Sequence, residues 1–307
     1  MSAFAALVEA GVVQENVPLA PFTTYKMGGP ARWFVEARER RRLREVIAAW
    51  TKRHDAGAAL VLGRGSNMLV ADSGFDGLVI KLSGEFADIV IDDDVVEAGG
   101  GAPLAKVART AAAAGRGGLE FFVGVPGSVG GAVKMNAGCH GSETADWLID
   151  VDLLDLASGR ERVVPASDLD LAYRHSALAD SDLVVAARFR TQPRAVTESE
   201  QLMREVTQWR KKYQPGGTFN AGSVFKNPVG DSAGRLIDDV GLKGLSVGGA
   251  SVSTKHANFI ISESGATSRD VFELIEEVRA RVTEATGVEL VPEVRLVGDF
   301  NPAESDG

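Results

Sequence analysis

The sequence predicts an α+β protein, because segments with helical hydrophobic period, short apolar runs of strand length and clustered glycines occur together. The first helix is expected over 39–53, where Leu43, Val46, Ile47 and Trp50 fall on one face between charged residues. A buried strand follows at Ala59-Leu-Val-Leu62 and runs into Gly63-Arg-Gly-Ser-Asn67. Leu78-Val-Ile80 reads as a second strand. Asp92 to Asp94 read as a hairpin turn between Ile89-Val-Ile91 and Val95-Val-Glu97.

Ala102 to Ala114 is alanine-rich, which favours a helix, and Gly115 supplies its stop. A strand-like run from Leu183 to Arg190 closes on Thr191-Gln-Pro193, and a charged helix is expected over about 198–212. Thr267-Ser-Arg-Asp270 has capping-box form. The helix it opens carries Val271, Leu274, Ile275, Val278 and Val282 on one face and ends at Gly287. Val288 to Val297 reads as a last strand.

A chain of 307 residues is long enough for two or three domains with a well-buried core. Its 45% hydrophobic and 24% charged content argues against wholesale disorder. A net charge of −9 disfavours a general nucleic-acid binder, although a local cluster of amides and basic side chains still suits an anionic ligand. A single cysteine, Cys139, cannot form an internal disulfide and points to a reducing compartment. Met1 to Ala10 shows no basic segment before an apolar run, so no signal peptide is expected, and no long apolar stretch suggests a membrane span. The histidines (His54, His140, His175, His256) lack metal-ligand spacing, so no metal is expected. The expectation is a cytoplasmic protein.

Three glycine clusters stand out: Gly63-Arg-Gly-Ser-Asn67, Gly99-Gly-Gly101 and Gly124-Val-Pro-Gly-Ser-Val-Gly-Gly131. One such cluster alone reads as a tight turn. Glycine also lets a backbone approach a ligand closely, with successive amides turned toward a phosphate. Neither the dinucleotide fingerprint G-x-G-x-x-G nor the phosphate-loop pattern G-x-x-x-x-G-K-[ST] is present. A pyrophosphate held here would need another architecture, built on loops between strands.

Leu62-Gly-Arg-Gly-Ser-Asn67, Gly124 to Gly131 and Asn136-Ala-Gly138 resemble the FAD-binding segments of the UDP-N-acetylenolpyruvoylglucosamine reductases. Thr23-Thr-Tyr-Lys-Met-Gly-Gly29 is similar to that family's start of domain. Ala221-Gly-Ser-Val-Phe-Lys-Asn-Pro228 is similar to the segment around its proton-donating serine. Ala233 to Asp238, Gly241-Leu-Lys-Gly244 and Leu290-Val-Pro-Glu-Val-Arg295 continue the resemblance in order, over roughly residues 18 to 298. The short interval between Arg174 and Ser223 resembles the second subtype, which lacks a substrate-closing loop insertion.

The resemblance implies a two-subdomain FAD-binding module of the vanillyl-alcohol oxidase type plus a C-terminal α+β substrate-binding domain. The expected bounds are 1–195 for the FAD-binding domain (subdomains about 18–82 and 83–195), 196–300 for the substrate-binding domain and 301–307 for a tail. It implies non-covalent FAD, because no histidine stands at a motif position that would link the flavin, with NADPH as co-substrate. The cofactor-binding residues it implies are Gly63, Arg64, Gly65, Ser66 and Asn67 in the first loop. In the second segment they are Gly124, Pro126, Gly127, Ser128, Gly130 and Gly131, with Asn136 and Gly138 beyond.

The resemblance also implies the catalytic roles. Taken alone, Ser223 is a turn residue, Arg174 half of a surface ion pair and Glu293 a strand-edge glutamate. By resemblance Ser223 donates a proton, Arg174 binds the substrate carboxylate and steadies the enolate, and Glu293 supports that enolate. Lys226, a cation close by in sequence, is the candidate to stabilise the serine alkoxide. Tyr173, Lys212, Lys226, Asn227 and His256 are the implied substrate contacts. Lys211 and Tyr213 join Lys212 as candidates for the diphosphate, though lysines also gather at helix C-termini for the helix dipole alone. Cys139 reads as packing.

The implied reaction has NADPH reduce FAD and leave, after which the enolpyruvyl sugar nucleotide enters the same cleft. No nucleic acid, membrane or obligate protein partner is expected. A flavin oxidase of the same fold and an inactive sugar-nucleotide-binding relative are the alternatives.

Overall fold

The computed structural model describes residues 2–53 and 57–300, so His54 and the expected tail 301–307 lie outside the described residues. The chain forms two compact units. One comprises Met1–Glu15, Trp33–Arg64 and Gly77–Arg210; the other comprises Asn16–Arg32, Gly65–Asp76 and the chain from Lys211 onward. The strands Gln14–Pro18, Pro30–Ala37 and Phe75–Leu82 each carry the chain from one unit to the other.

The first unit holds two hydrophobic cores. In one, the helix Arg40–Trp50 lays Leu43, Val46, Ile47 and Trp50 on Leu78 and Ile80, the face its spacing predicts. Those last two belong to Phe75–Leu82, which pairs in parallel with Ala58–Leu62. Phe4, Trp33 and Trp50 close round the Arg53 guanidinium, which lies 4.4 Å from the Trp33 ring centroid.

The second core of this unit lies under a five-stranded antiparallel sheet. Its order is Glu161–Pro165, Leu148–Asp155, Asp182–Arg190, Val95–Gly99, Ile89–Asp92. The hairpin turn narrows to Asp93 and Asp94, since Asp92 pairs directly with Val95 and Asp93 takes φ +47°. The alanine-rich helix runs Leu104–Ala113 and not from Ala102, because Pro103 occupies its N-cap in extended backbone. Val107, Ala108 and Ala111 bury against Phe122, Val129 and Phe189.

The second unit has its own core. The helix Ser268–Thr286 opens on the reciprocal Thr267–Asp270 capping box and closes on Gly287 at φ +72°. Its Val271, Leu274, Ile275, Val278 and Val282 are all buried, beside the strands Ala250–Val252 and Ile260–Ser262. Only Arg295–Val297 of the expected last strand is a strand, paired in parallel with Met68–Val70. In the part before it, Val291 to Val294 pair instead by isolated bonds with the segment after Ser223, while Val288 and Leu290 bond to the helix Ser268–Thr286. Pro292, lacking an N–H, sits in that stretch.

Candidate active site

The two halves of the expected FAD cradle that lie in the first unit approach one another through glycine. Ala58–Leu62 delivers Gly63 against Ser128, so closely that a Cβ on Gly63 would stand 2.6 Å from Ser128 Oγ. Ser128 is buried and begins the helix Val129–Lys134. The Gly99–Gly101 cluster laces this segment in place. Gly130 N–H donates to Gly100 O at 2.8 Å, Val129 N–H to Ala102 O at 3.0 Å, and Leu104 N–H to Gly127 O at 3.1 Å. Gly100 has no room for a side chain of its own, because Val184 O lies where its Cβ would be. Glycine at 63 and 130 thus lets these segments pack closely on one another, the approach that a backbone-built cradle for a pyrophosphate-bearing cofactor requires.

The rest of the first loop is held within the second unit. Gly65, at φ +59°, fits under the Phe22 carbonyl, and Gly65 O accepts from Thr24 N at 3.0 Å. The segment Thr23 to Gly29 is therefore the clamp on the Gly65 turn. Thr23 Oγ1 donates to Met27 O at 3.0 Å, and Tyr25 is buried with its hydroxyl donating to Ile260 O at 3.1 Å. Asn67 reaches from the same loop to Glu293, its Nδ2 donating to Glu293 O at 3.0 Å.

Arg174 stands at the tip of a two-residue turn closed by Ala172 and His175, whose main chains exchange two hydrogen bonds. It has φ +52°, a conformation that costs a side chain of its size about 1–2 kcal/mol. Two partners hold it there. Arg174 Nη2 donates to Gly138 O at 3.0 Å, and its guanidinium lies 5.1 Å from the Tyr173 ring centroid. Cys139 next to Gly138 is packed: its thiol donates to Phe121 O at 3.1 Å, and burial pushes its pKa up to about 11 against the pull of Arg210 and Arg174.

The chain that follows Ser223 and the chain at Glu293, far apart in sequence, pair in the second unit. Gly222 turns at φ +78° into half-buried Ser223. The next residue, Val224, is held from both sides, its N–H donating to Asn258 O at 2.9 Å and its O accepting from Glu293 N at 2.7 Å. Lys226 N–H donates to Val291 O at 2.9 Å, so Lys226 extends the same run. Asn227 Oδ1 accepts from Ala233 N at 3.1 Å, at the start of the helix Ala233–Asp239. His256 rests on that helix at Gly234 and on the Phe259 ring, and its Nδ1 accepts from Asn258 N at 3.3 Å. Burial lowers its pKa, and the charge of Lys243 adds to the effect.

Lys211, Lys212 and Tyr213 are exposed at the end of the helix Val196–Tyr213. Lys255 Nζ donates to Lys211 O at 2.7 Å there, and Lys212 Nζ lies 5.0 Å from the Tyr213 ring centroid. Asn258 is the residue that sequence reading passed over. Its signal was a lone amide set among Ala257, Phe259 and Ile260. Among the described residues, no group of three or more His, Cys, Asp or Glu side chains could hold a metal, and no helix is long and apolar enough to cross a membrane.

Residues 214–297 match the family described as UDP-N-acetylenolpyruvoylglucosamine reductase, C-terminal domain, and residues 32–164 match an FAD binding domain. The chain is 41% identical to the UDP-N-acetylenolpyruvoylglucosamine reductase of Synechococcus sp. strain WH7803 over 304 residues, covering 97% of both proteins. It belongs to the UDP-N-acetylenolpyruvoylglucosamine reductase family.

The reductase of Heliobacterium modesticaldum is 44% identical over 298 residues, covering 94% of this chain and 92% of that protein. The crystal structure of the reductase from Thermus caldophilus superposes with a TM-score of 0.79 at 40% identity, over 92% of this chain and 98% of that one. The α+β architecture is thus an FAD-binding domain joined to a reductase-family C-terminal domain, and FAD is the cofactor of this oxidoreductase.

Proposed function

We propose that the chain uses NADPH to reduce UDP-N-acetylglucosamine enolpyruvate to UDP-N-acetylmuramate, a peptidoglycan precursor, in the cytoplasm. The observation that carries this reading is the pairing of the run after Ser223 with the chain at Glu293. Glu293 N–H donates to Val224 O at 2.7 Å, which joins the two main chains within the segment matched by the family's C-terminal domain. The family matches also support an FAD-binding domain within 1–195 and a substrate-binding domain within 196–300.

Gly63, Arg64, Gly65, Ser66 and Asn67, with Gly124 to Gly131, hold FAD non-covalently, and Asn136 and Gly138 support them from beneath the Arg174 turn. The chemistry that FAD supplies when bound is two-electron hydride transfer, from NADPH and on to the enolpyruvyl β-carbon. Addition of hydride at that carbon leaves the electron pair of the former double bond as an enolate conjugated with the carboxylate. The Arg174 fork binds the carboxylate with a charge that does not titrate in the working range. Glu293 supports the enolate oxygen. Ser223 gives its hydroxyl proton to C2, and Lys226 steadies the alkoxide left behind until it takes up a proton from water. Tyr173, Lys212, Asn227 and His256 position the sugar nucleotide.

Ser223→Ala tests the assignment. It should abolish turnover while NADPH still bleaches the flavin at the parent rate. Equal loss of both half-reactions would remove Ser223 from the role of proton donor.

A further inference from the structure

We propose that Asn258 is a positioning residue for the proton-donating step, acting through the main chain that carries Ser223; this rests on the role given to Ser223 above. Asn258 is 4% exposed. Its side-chain amide spans Phe225, with Oδ1 accepting from Phe225 N at 2.9 Å and Nδ2 donating to Phe225 O at 2.8 Å. Its own carbonyl accepts from Val224 N at 2.9 Å. One residue therefore takes up three of the four main-chain polar groups of Val224 and Phe225, the two residues that follow Ser223.

The opposite edge of that run is bound by the chain around Pro292. Glu293 N–H donates to Val224 O at 2.7 Å, and Lys226 N–H donates to Val291 O at 2.9 Å. The three residues after Ser223 thus sit between two partners, one of which is largely a side chain. A regular strand cannot occupy the Asn258 side, because the chain there turns through His256. Asn258 N–H donates back to His256 Nδ1 at 3.3 Å, and Phe259 N–H donates to His256 O at 3.0 Å. The amide side chain stands in for the missing strand.

On the other side of Ser223 the hold on the residue next to it is local. Gly222 takes φ +78°, and its N–H donates to the half-buried Asn220 side chain at 3.0 Å, ahead of which Ala221 is buried in the core. The hydroxyl position is consequently set from the Val224–Phe225 side, and Asn258 is the part of that support that a point substitution can remove. An apolar side chain there leaves Phe225 N–H and O without their partners, and the run shifts to recover them. A displacement on the order of 1 Å at a reacting group costs roughly a hundredfold in rate.

The test uses FAD-loaded Asn258→Leu and Asn258→Asp enzymes beside the parent and Ser223→Ala. Aspartate keeps an acceptor for Phe225 N–H but has no donor for Phe225 O, so it gives a second reading should the leucine variant fold poorly. The flavin is reduced with NADPH under anaerobic conditions, and its re-oxidation by UDP-N-acetylglucosamine enolpyruvate is followed in H2O and D2O. Per FAD-loaded enzyme, the re-oxidation rate constant should fall roughly tenfold to a hundredfold. The solvent isotope effect should rise as proton delivery becomes slow, and reduction by NADPH should keep its parent rate. Deuterium uptake by the peptide covering 220–227 should quicken. Parent rate constants and isotope effects in both variants, with loss only in the yield of folded protein, would make Asn258 structural and overturn the proposal. Parent re-oxidation in Ser223→Ala would overturn the role of Ser223 itself, and this proposal with it. An inactive Ser223→Ala beside a fully active Asn258→Asp would overturn the positioning role alone.

Discussion

Asn136 Nδ2 donates to Ala172 O at 3.0 Å, and that bond ties the segment 136–138 to the turn that presents Arg174. The other end of the same amide accepts from Ala145 N at 2.9 Å, and the side chain is wholly buried. Gly138 completes the hold by accepting from the Arg174 guanidinium. A motif that reads as cofactor-binding thus has a second use, which is to fix an arginine in left-handed backbone. Asn136→Leu should cost about 1–3 kcal/mol, since it strands a buried carbonyl and a buried N–H. It should also raise the KM for the enolpyruvyl substrate by freeing the turn. Thermal unfolding and steady-state kinetics measure the two effects separately.

Arg174 separates folding from function. Arg174→Gly relieves the positive-φ cost but gives up the Gly138 bond and adds freedom to the unfolded chain, so stability should stay within about 1 kcal/mol of the parent. Substrate-driven re-oxidation of the flavin should nevertheless fall on the order of a hundredfold or more, as when one electrostatic contact to a transition state is removed. Arg174→Lys should recover little of the rate, because an ammonium cannot match a carboxylate as a fork does.

Glu120 is buried at the start of the turn that leads into Gly124, with Oε1 accepting from Ser199 Oγ and Oε2 from Gly118 N at 2.7 Å. Arg194 Nη1 lies 2.9 Å from the same carboxylate. Burial pushes the carboxyl pKa up, but Ser199, the neighbouring amides and Arg194 outweigh it and hold the group below the usual glutamate value. The stabilisation is therefore present above about pH 4.3 and is lost as pH falls through the lowered folded-state pKa. Arg194→Met should cost about 3 kcal/mol by leaving a buried carboxylate unpaired. Chemical denaturation at pH 7 and at pH 4 checks both the size and the sign.

His256 titrates with the same proton balance, in a higher pH window. Burial keeps the ring neutral, with Nδ1 accepting from Asn258 N–H, and so lowers its folded-state pKa. The unfolded chain then binds the proton more readily, so stability falls as pH drops below about 6.5 toward the lowered pKa. His256→Gln should flatten that part of the pH–stability curve, which denaturation between pH 5 and 7.5 would show.

Much of this was legible in the sequence where the local pattern decides the structure. The Thr267–Asp270 capping box, the helix face from Val271 to Val282 and the face from Leu43 to Trp50 all stand as their periods predict. The glycine clusters read as tight turns or as close approach to a ligand, and what the structure shows at Gly63 is close approach to the Ser128 side chain. The stretch 288–294 misled, because its apolar residues have strand character while its hydrogen bonds are divided between the helix Ser268–Thr286, Asn67 and the run after Ser223. Asn258 stayed hidden for a related reason. Its partners Val224 and Phe225 are distant in sequence, and no local period marks a side chain that replaces a strand.

The most direct test is an anaerobic absorbance experiment on the FAD-loaded protein, with NADPH added first and UDP-N-acetylglucosamine enolpyruvate second. The flavin bands should bleach with NADPH and return in full with the enolpyruvyl substrate, one equivalent of UDP-N-acetylmuramate appearing per flavin. Bands that bleach but return only on admitting air would contradict the account and identify an oxidase.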